Sequence, residues 1–339
     1  MRSMLADSRK RRKKSAIYLT LASINNMKKL LSTALLALVA AVTVNAQFLF
    51  RVNGKGLEQP SYILGSIHTL PGSLLDSIPE YLEAEAACKQ LYAEYEVNNE
   101  QKMKEVMAAG QQALSLPEGK TLFDVLTMEQ LDALNYRFKE VFQVNVTDSA
   151  MMTTWHYQPQ VFPGTFALFL TTMEMQKYPE LRFAGTPLDL VCITRAKERG
   201  MTIGQLDQIQ SQDSLQKMRD TGLENLSAQV DSLMSFLNHF DERKQQIADE
   251  VASTVKAAEY WKQGNYNGFD TNPFWLSQLE KNPALFKLRN EKWLPKITAA
   301  MQQAPTLFVF GAGHLIGKDG IVNKLREAGY QIEQIKKDI

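Results

Sequence analysis

The chain has 339 residues, 45% of them hydrophobic and 22% charged, which is enough apolar material for one large domain or two ordinary ones. Its formal charge of +1 averages two unlike regions: residues 1–46 hold nine Lys/Arg against one acid, and the remainder holds 29 basic against 36 acidic residues. An acidic body lacks the basic surface that displaces counterions from a phosphate backbone, which excludes a general nucleic-acid binder.

The N-terminal region reads as a leader. Two lysines after Met27 precede an apolar run from Leu30 to Val44, followed by Val44-Asn45-Ala46. Small residues at the third and first positions before a break suit signal peptidase, so cleavage is expected after Ala46, with Gln47 opening the mature chain. The run is shorter than the roughly 20 residues of a membrane span, so no lasting membrane segment is expected after cleavage. Residues 1–26 then form an upstream leader and 27–46 the core signal, and the expected destination is the periplasm or the cell exterior. The two cysteines, Cys88 and Cys192, allow either a pairing or two buried free thiols.

The elements of the mature chain follow in order. Ser61–Leu64 is a compact apolar strand stopped by Gly65, and Pro79–Lys89 a crossover helix. Leu91–Val97 is an alternating strand with Glu94 and Glu96 on the face opposite its apolar side. Thr127-Met-Glu-Gln130 forms a capping box for a helix over 131–141. The aromatic, Met-containing segment 155–181 reads as either core or a lid. Helical spacing returns over 187–199, 214–262 and 287–303. Thr306–Phe310 is a continuous apolar strand of the kind buried on both faces, and 321–328 is a final helix. The fold expected is one α/β domain over 47–339. Its sheet is mixed or mostly parallel, built near the two chain ends, with a large, mainly helical insertion over about 99–285.

Two stretches match one another. Tyr62-Ile-Leu-Gly65-Ser-Ile-His68 and Phe308-Val-Phe-Gly311-Ala-Gly-His314 are each an apolar strand followed by Gly-x-x-His, in a chain with only four histidines. Each glycine turns the chain off the strand, and each His falls at the strand's carboxyl edge, where open α/β sheets bind ligands. Either His alone would read as structural; as a pair they suit a first-row metal. Glu94 or Glu96 could complete such a site or act as general base, or could face solvent from an edge strand. His156 and His239 read as structural or surface residues.

These features together resemble the TraB/GumN family, whose relatives include TIKI-like metalloproteases. The residues carrying the resemblance are Ile63–His68, Ile78-Pro79, Glu94-Tyr-Glu96, Leu188-Asp189, Ala258–Asn265, Arg289-Asn290 with Trp293, and Gly311–Gly317. The resemblance implies His68 and His314 as metal ligands, with Glu94 as third ligand or base and Glu96 as its neighbour. It also implies Arg289 as a catalytic cation that steadies an oxyanion, where the residue alone would read as an ion pair with acids near it on its helix, and Gly65, Gly311 and Asn290 in support. Asp207 stands where the family usually carries a glutamate, so a shorter side chain has to reach the same point. The implied metal is manganese or cobalt, while the imidazoles alone would also suit zinc. The function implied is an exported metal-dependent hydrolase, a peptidase acting on peptide or protein. The alternative is a non-catalytic envelope protein binding a metal or haem through the same histidines. The sequence leaves the oligomeric state open.

Overall fold

The computed structural model describes residues 48–95, 100–181, 185–207 and 212–336. The leader and Glu96 lie outside the described residues. No helix among the described residues is long and apolar enough to cross a membrane.

The sheet has six strands: β1 (Leu49–Asn53), β2 (Ser61–Ser66), β3 (Gln90–Ala93), β4 (Thr202–Gln205), β5 (Thr306–Gly311) and β6 (Gln331–Gln334), in the spatial order β4-β3-β5-β2-β1-β6. The four strands β4, β3, β5 and β2 run parallel, while β1 is antiparallel to both β2 and β6. The sheet is therefore mixed, as expected for the α/β class. Strand β5 sits at its centre, and five of its six residues, Thr306 to Phe310, are buried. That burial explains its unbroken apolar sequence.

Helix α1 (Pro79–Ala87) leads from β2 to β3, and β5 later inserts between those two strands. Two helical blocks follow. Between β3 and β4 lie α2 (Glu100–Ala113), α3 (Met128–Phe142), α4 (Val161–Met175) and α5 (Leu188–Glu198). Between β4 and β5 come α6 (Gln212–Glu224), α7 (Leu226–Asn238) and α8 (Phe240–Lys262), then α9 (Tyr266–Asp270), α10 (Pro273–Lys281) and α11 (Lys287–Gln303). Helix α12 (Ile321–Glu327) precedes β6. The capping box at Thr127 and Gln130 is formed in both directions and opens α3.

The mainly helical middle of the chain also contains β4, which rises from it to become an edge strand. Its short Thr-Ile-Gly-Gln sequence lacks the alternation that marks a half-buried strand. One expectation needs correction, the extent of β3. Strand β3 ends at Ala93, so Glu94 stands just beyond the strand rather than on its face. The segment 155–181 supplies α4, whose Phe162, Phe166 and Leu170 are buried while Leu168 is 71% exposed. Phe166 there packs on Phe138, Phe142, Phe236 and Phe240, binding α4 to α3, α7 and α8. Both cysteines are free and buried.

The second helical block is tied to the sheet at the Gly-x-x-His turns. Trp261, fully buried near the end of α8, donates from Nε1 to the Gly65 carbonyl at 2.6 Å. Tyr266 donates to the Leu315 carbonyl at 3.1 Å, and the Gly317 N–H donates to Asp270 at 2.8 Å. The stretch after Ala258 is thus a brace for both turns.

Candidate active site

Four parallel strands deliver their carboxyl ends to one place. His68 follows β2 and His314 follows β5, while Glu94 is the first residue, and Asp207 the second, beyond the ladder shared by β3 and β4. The Asp207 N–H donates to the Glu94 carbonyl at 2.9 Å, so those two carboxylates are held side by side by the backbone. Helix α11 closes over this edge with Arg289, Asn290 and Trp293, and the start of α5 contributes Asp189. The resulting cavity, about 310 Å³, is lined by His68, Glu94, Arg289, Gly311 and His314 among others.

His314 is 2% exposed, and its tautomer follows from its neighbour. The Asn290 amide nitrogen donates to the carbonyls of His314 and Asp319, so its Oδ1 is the atom facing His314 Nδ1, at 2.7 Å. An amide oxygen only accepts, so Nδ1 carries the hydrogen and Nε2 is left with its lone pair. That lone pair accepts from Arg289 Nη1 at 3.1 Å. Burial holds the ring neutral, its pKa lowered to about 4.

His68 is the opposite case. Its side chain is 63% exposed, and its Nδ1 makes a short hydrogen bond to Asp189 Oδ2. That bond raises the imidazole pKa to about 9, against the opposing effect of burial. With Nδ1 committed to Asp189, Nε2 is the nitrogen turned to the cavity. A Cβ built on Gly311 would stand 3.2 Å from His68 Nε2 and 3.3 Å from Glu94 Oε1, so the two groups flank one point that only glycine leaves open. Gly65 answers a different need: a Cβ there would come within 2.3 Å of Leu315 Cδ1.

Arg289 organises the acids. Its Nη2 donates to Glu94 Oε2 at 2.5 Å and its Nε to Asp207 at 2.9 Å. Glu94 Oε1 accepts the Gly311 N–H at 2.8 Å. Asp207 also accepts from Trp293 Nε1 at 2.7 Å. Burial pushes the Asp207 carboxyl up, but the hydrogen bonds from Arg289 and Trp293 outweigh it and hold the group below the usual range. The shorter side chain therefore does reach this cluster. The guanidinium also lies 4.6 Å over the Trp293 ring, which packs against the His314 imidazole at 4.3 Å between centroids.

The ion partners of Arg289 are thus strand-end acids rather than neighbours on its own helix. His156 and His239 lie elsewhere, on the carbonyls of Lys120 and Ser235. Sequence reasoning gave Asp189 no role at the site, although a carboxylate one residue into a helix that follows Pro187 is a signal worth weighing. Ser66 Oγ, Thr69 Oγ1 and Asp189 Oδ1 are buried without a hydrogen-bond partner among the described residues, and Ser66 and Thr69 line this cavity.

The donors suit a divalent cation in kind: two imidazoles, each anchored through Nδ1, each presenting Nε2, beside a carboxylate. Asp189 and Asn290 are the anchors that such ligands use. Among the described residues no three His, Cys, Asp or Glu side chains converge tightly enough to hold an ion as they stand, because Arg289 lies between His314, Glu94 and Asp207.

The zebrafish (Danio rerio) protein Metalloprotease TIKI1 is 23% identical to this chain over 319 residues, covering 81% of the chain and 61% of TIKI1. The chain thus spans less than two thirds of that relative's length. No solved structure matches it. The profile of the TraB/PrgY/gumN family matches residues 48–334, the whole of the sheet and both helical blocks, and the chain belongs to that family.

Proposed function

We propose that the protein is an exported, metal-dependent hydrolase that cleaves peptide bonds. The observation that carries this reading is the convergence of two anchored imidazoles, a carboxylate and a guanidinium on one cavity at the carboxyl edge of a parallel sheet. The likeness to a metalloprotease supports it, and the leader-like residues 27–46 support export.

His68 and His314 would hold the ion, with Glu94 beside them; manganese or cobalt is proposed ahead of zinc. When bound, such an ion supplies Lewis acidity toward a carbonyl oxygen and toward water. The side chains do the rest. A water entering over Gly311 meets Glu94 Oε1, which accepts its proton and returns it to the departing amine. A peptide carbonyl entering the same cavity meets Arg289, whose charge is fixed in place by Asp207 and faces the oxygen as it becomes negative. Trp293 and Phe286 pack against the His314 ring and keep water from it. Asn290 holds the tautomer that leaves Nε2 unprotonated, with its lone pair toward the cavity side.

The test is metal content and peptide hydrolysis of the purified protein, beside a His68→Ala/His314→Ala variant. The expected result is about one divalent ion per chain and metal-dependent cleavage, both lost in the variant. A protein that takes up no manganese, cobalt or zinc on titration ends the reading, and a visible absorption band that depends on the two histidines would point to haem instead. N-terminal sequencing of the protein recovered outside the cytoplasm checks the expected start at Gln47.

A further inference from the structure

A second cavity, about 380 Å³, adjoins the first and shares four wall residues with it: Thr254, Trp275, Leu285 and Phe286. The two are one trough. Its second half is walled by α4, α8 and α10, with Phe274 and Met175 on its apolar side and Arg243 and Glu250 at the far end. Arg243 donates to Glu250 at 2.8 Å, and both side chains stay partly exposed, at 34% and 40%. Leu285, on the wall the two cavities share, is 51% exposed, so the divide between them reaches solvent.

Phe286 is the hinge of this arrangement. One face of its ring meets His314 at 5.4 Å between centroids, and the ring also lines the second cavity. Gly313 seats it there: a Cβ on Gly313 would stand 2.8 Å from Phe286 Cε1. The second glycine of the Gly-Ala-Gly-His turn therefore serves the trough, whereas Gly311 serves the catalytic cluster. Trp275 stands against Phe274 and Phe269, at 5.5 and 5.6 Å, and forms the rest of the apolar wall.

An open trough with an aromatic floor beside the reacting cavity and a charged far end suits an extended chain more than a compact molecule. Successive residues of such a chain advance about 3.3 Å. A residue whose carbonyl lies among Glu94, Arg289 and His314 thus places a neighbouring side chain across the Phe286 divide. We infer that the second cavity is a specificity subsite taking a large apolar side chain, leucine or aromatic, next to the scissile bond of an extended peptide. This inference rests on the peptide-hydrolase reading above, and it names the substrate class of that site.

The experiment uses blocked, fluorescein-labelled heptapeptides of composition Gly-Gly-Ser-Xaa-Gly-Ser-Gly, with Ala, Leu, Phe, Asp or Lys at Xaa. Relative kcat/KM is measured for the wild type, Trp275→Ala and Gly313→Ala, and anisotropy titrations are run on Glu94→Gln. The expected ranking places Leu and Phe about 10-fold or more above Ala, Asp and Lys, within the range one apolar pocket provides. In Trp275→Ala that ratio falls to about twofold, and in Gly313→Ala it shifts by at least about threefold as Phe286 is displaced. A ratio within one variant is its own control for the amount of folded protein. A flat ranking in the wild type, or one unchanged in both variants, overturns the subsite. Where no peptide is cleaved, the anisotropy ranking decides: Leu and Phe binding tightest keeps the subsite while the hydrolase reading falls, and equal or absent binding removes both.

Discussion

Arg289 and His314 meet nitrogen to nitrogen, with Nη1 of the guanidinium 3.1 Å from Nε2 of the imidazole. Such a contact is attractive only where the ring nitrogen has a lone pair, and the Asn290 contact at Nδ1 enforces that tautomer. The same guanidinium holds Glu94 and Asp207. A divalent ion on His314 and Glu94 would need the donors that Arg289 uses, so cation and ion compete.

The competition has a measurable consequence. Removing the charge in Arg289→Met should raise manganese affinity at least about tenfold, since unit charges near 4 Å interact by about 4 kcal/mol at an intermediate dielectric. Peptide hydrolysis should nonetheless fall by about 100-fold or more, as expected for loss of an oxyanion-stabilising cation. The metal-free variant should also lose about 3 kcal/mol of stability, because Glu94 and Asp207 are left facing each other. Calorimetric titration and urea unfolding read these effects; unchanged or weaker manganese binding would rule out the competition.

The two motif glycines should fail differently. In Gly311→Ala the new methyl group enters the space between His68 Nε2 and Glu94 Oε1, at 3.2 and 3.3 Å. Activity should drop by about 10-fold or more with the unfolding midpoint nearly unchanged, since the groups pinched face the cavity rather than the core. In Gly65→Ala the methyl group meets Leu315 at 2.3 Å inside the packed turn, and stability should fall by about 1–3 kcal/mol. Equal losses of stability in the two variants would contradict the division of labour.

Much of this arrangement was legible in the chain itself. The matched Gly-x-x-His turns marked the edge of the sheet because an apolar run, a glycine and a rare residue type coincide twice. Helix α11 was readable from its apolar spacing, and its Arg-Asn pair through the family resemblance. What was not legible lies in contacts between distant segments. Asp189 meets His68 across 121 residues, and Trp261 meets Gly65 across 196; neither has a local signature. Strands β1, β4 and β6 escaped because each is short, four or five residues, and their shape is set by pairing rather than pattern. The reading of Glu94 as strand-borne followed an alternation that continues through Tyr95, while the ladder stops at Ala93.

Asp189 should matter through His68 alone. Its carboxylate raises the imidazole pKa and fixes Nε2 toward the cavity. Asp189→Asn should return the ring toward its ordinary range of about 6.5, shifting its NMR titration downward. Metal affinity at neutral pH should weaken by about 10- to 100-fold, as for other outer carboxylates of metal-bound imidazoles. An unshifted His68 titration would show that the carboxylate does not govern the ring.

The two histidines give the metal-free protein opposite pH dependences. His314 has its pKa lowered by burial, from 6.5 to about 4. The unfolded chain therefore takes up a proton near pH 6.5 that the folded protein refuses until about pH 4. The stability involved is complete above 6.5 and drains away as pH falls toward 4, by up to about 3 kcal/mol. His68 runs the other way: its pKa is raised to about 9, so its contribution is complete below 6.5 and is lost as pH rises through 9. Because the His68 side chain is 63% exposed, solvent screening makes that alkaline arm the shallower one. Urea midpoints between pH 4.5 and 9 should peak near 6.5. His314→Gln should flatten the arm between 4.5 and 6.5 and leave the alkaline arm in place. Persistence of the acid arm in that variant would place its origin in the carboxylates instead.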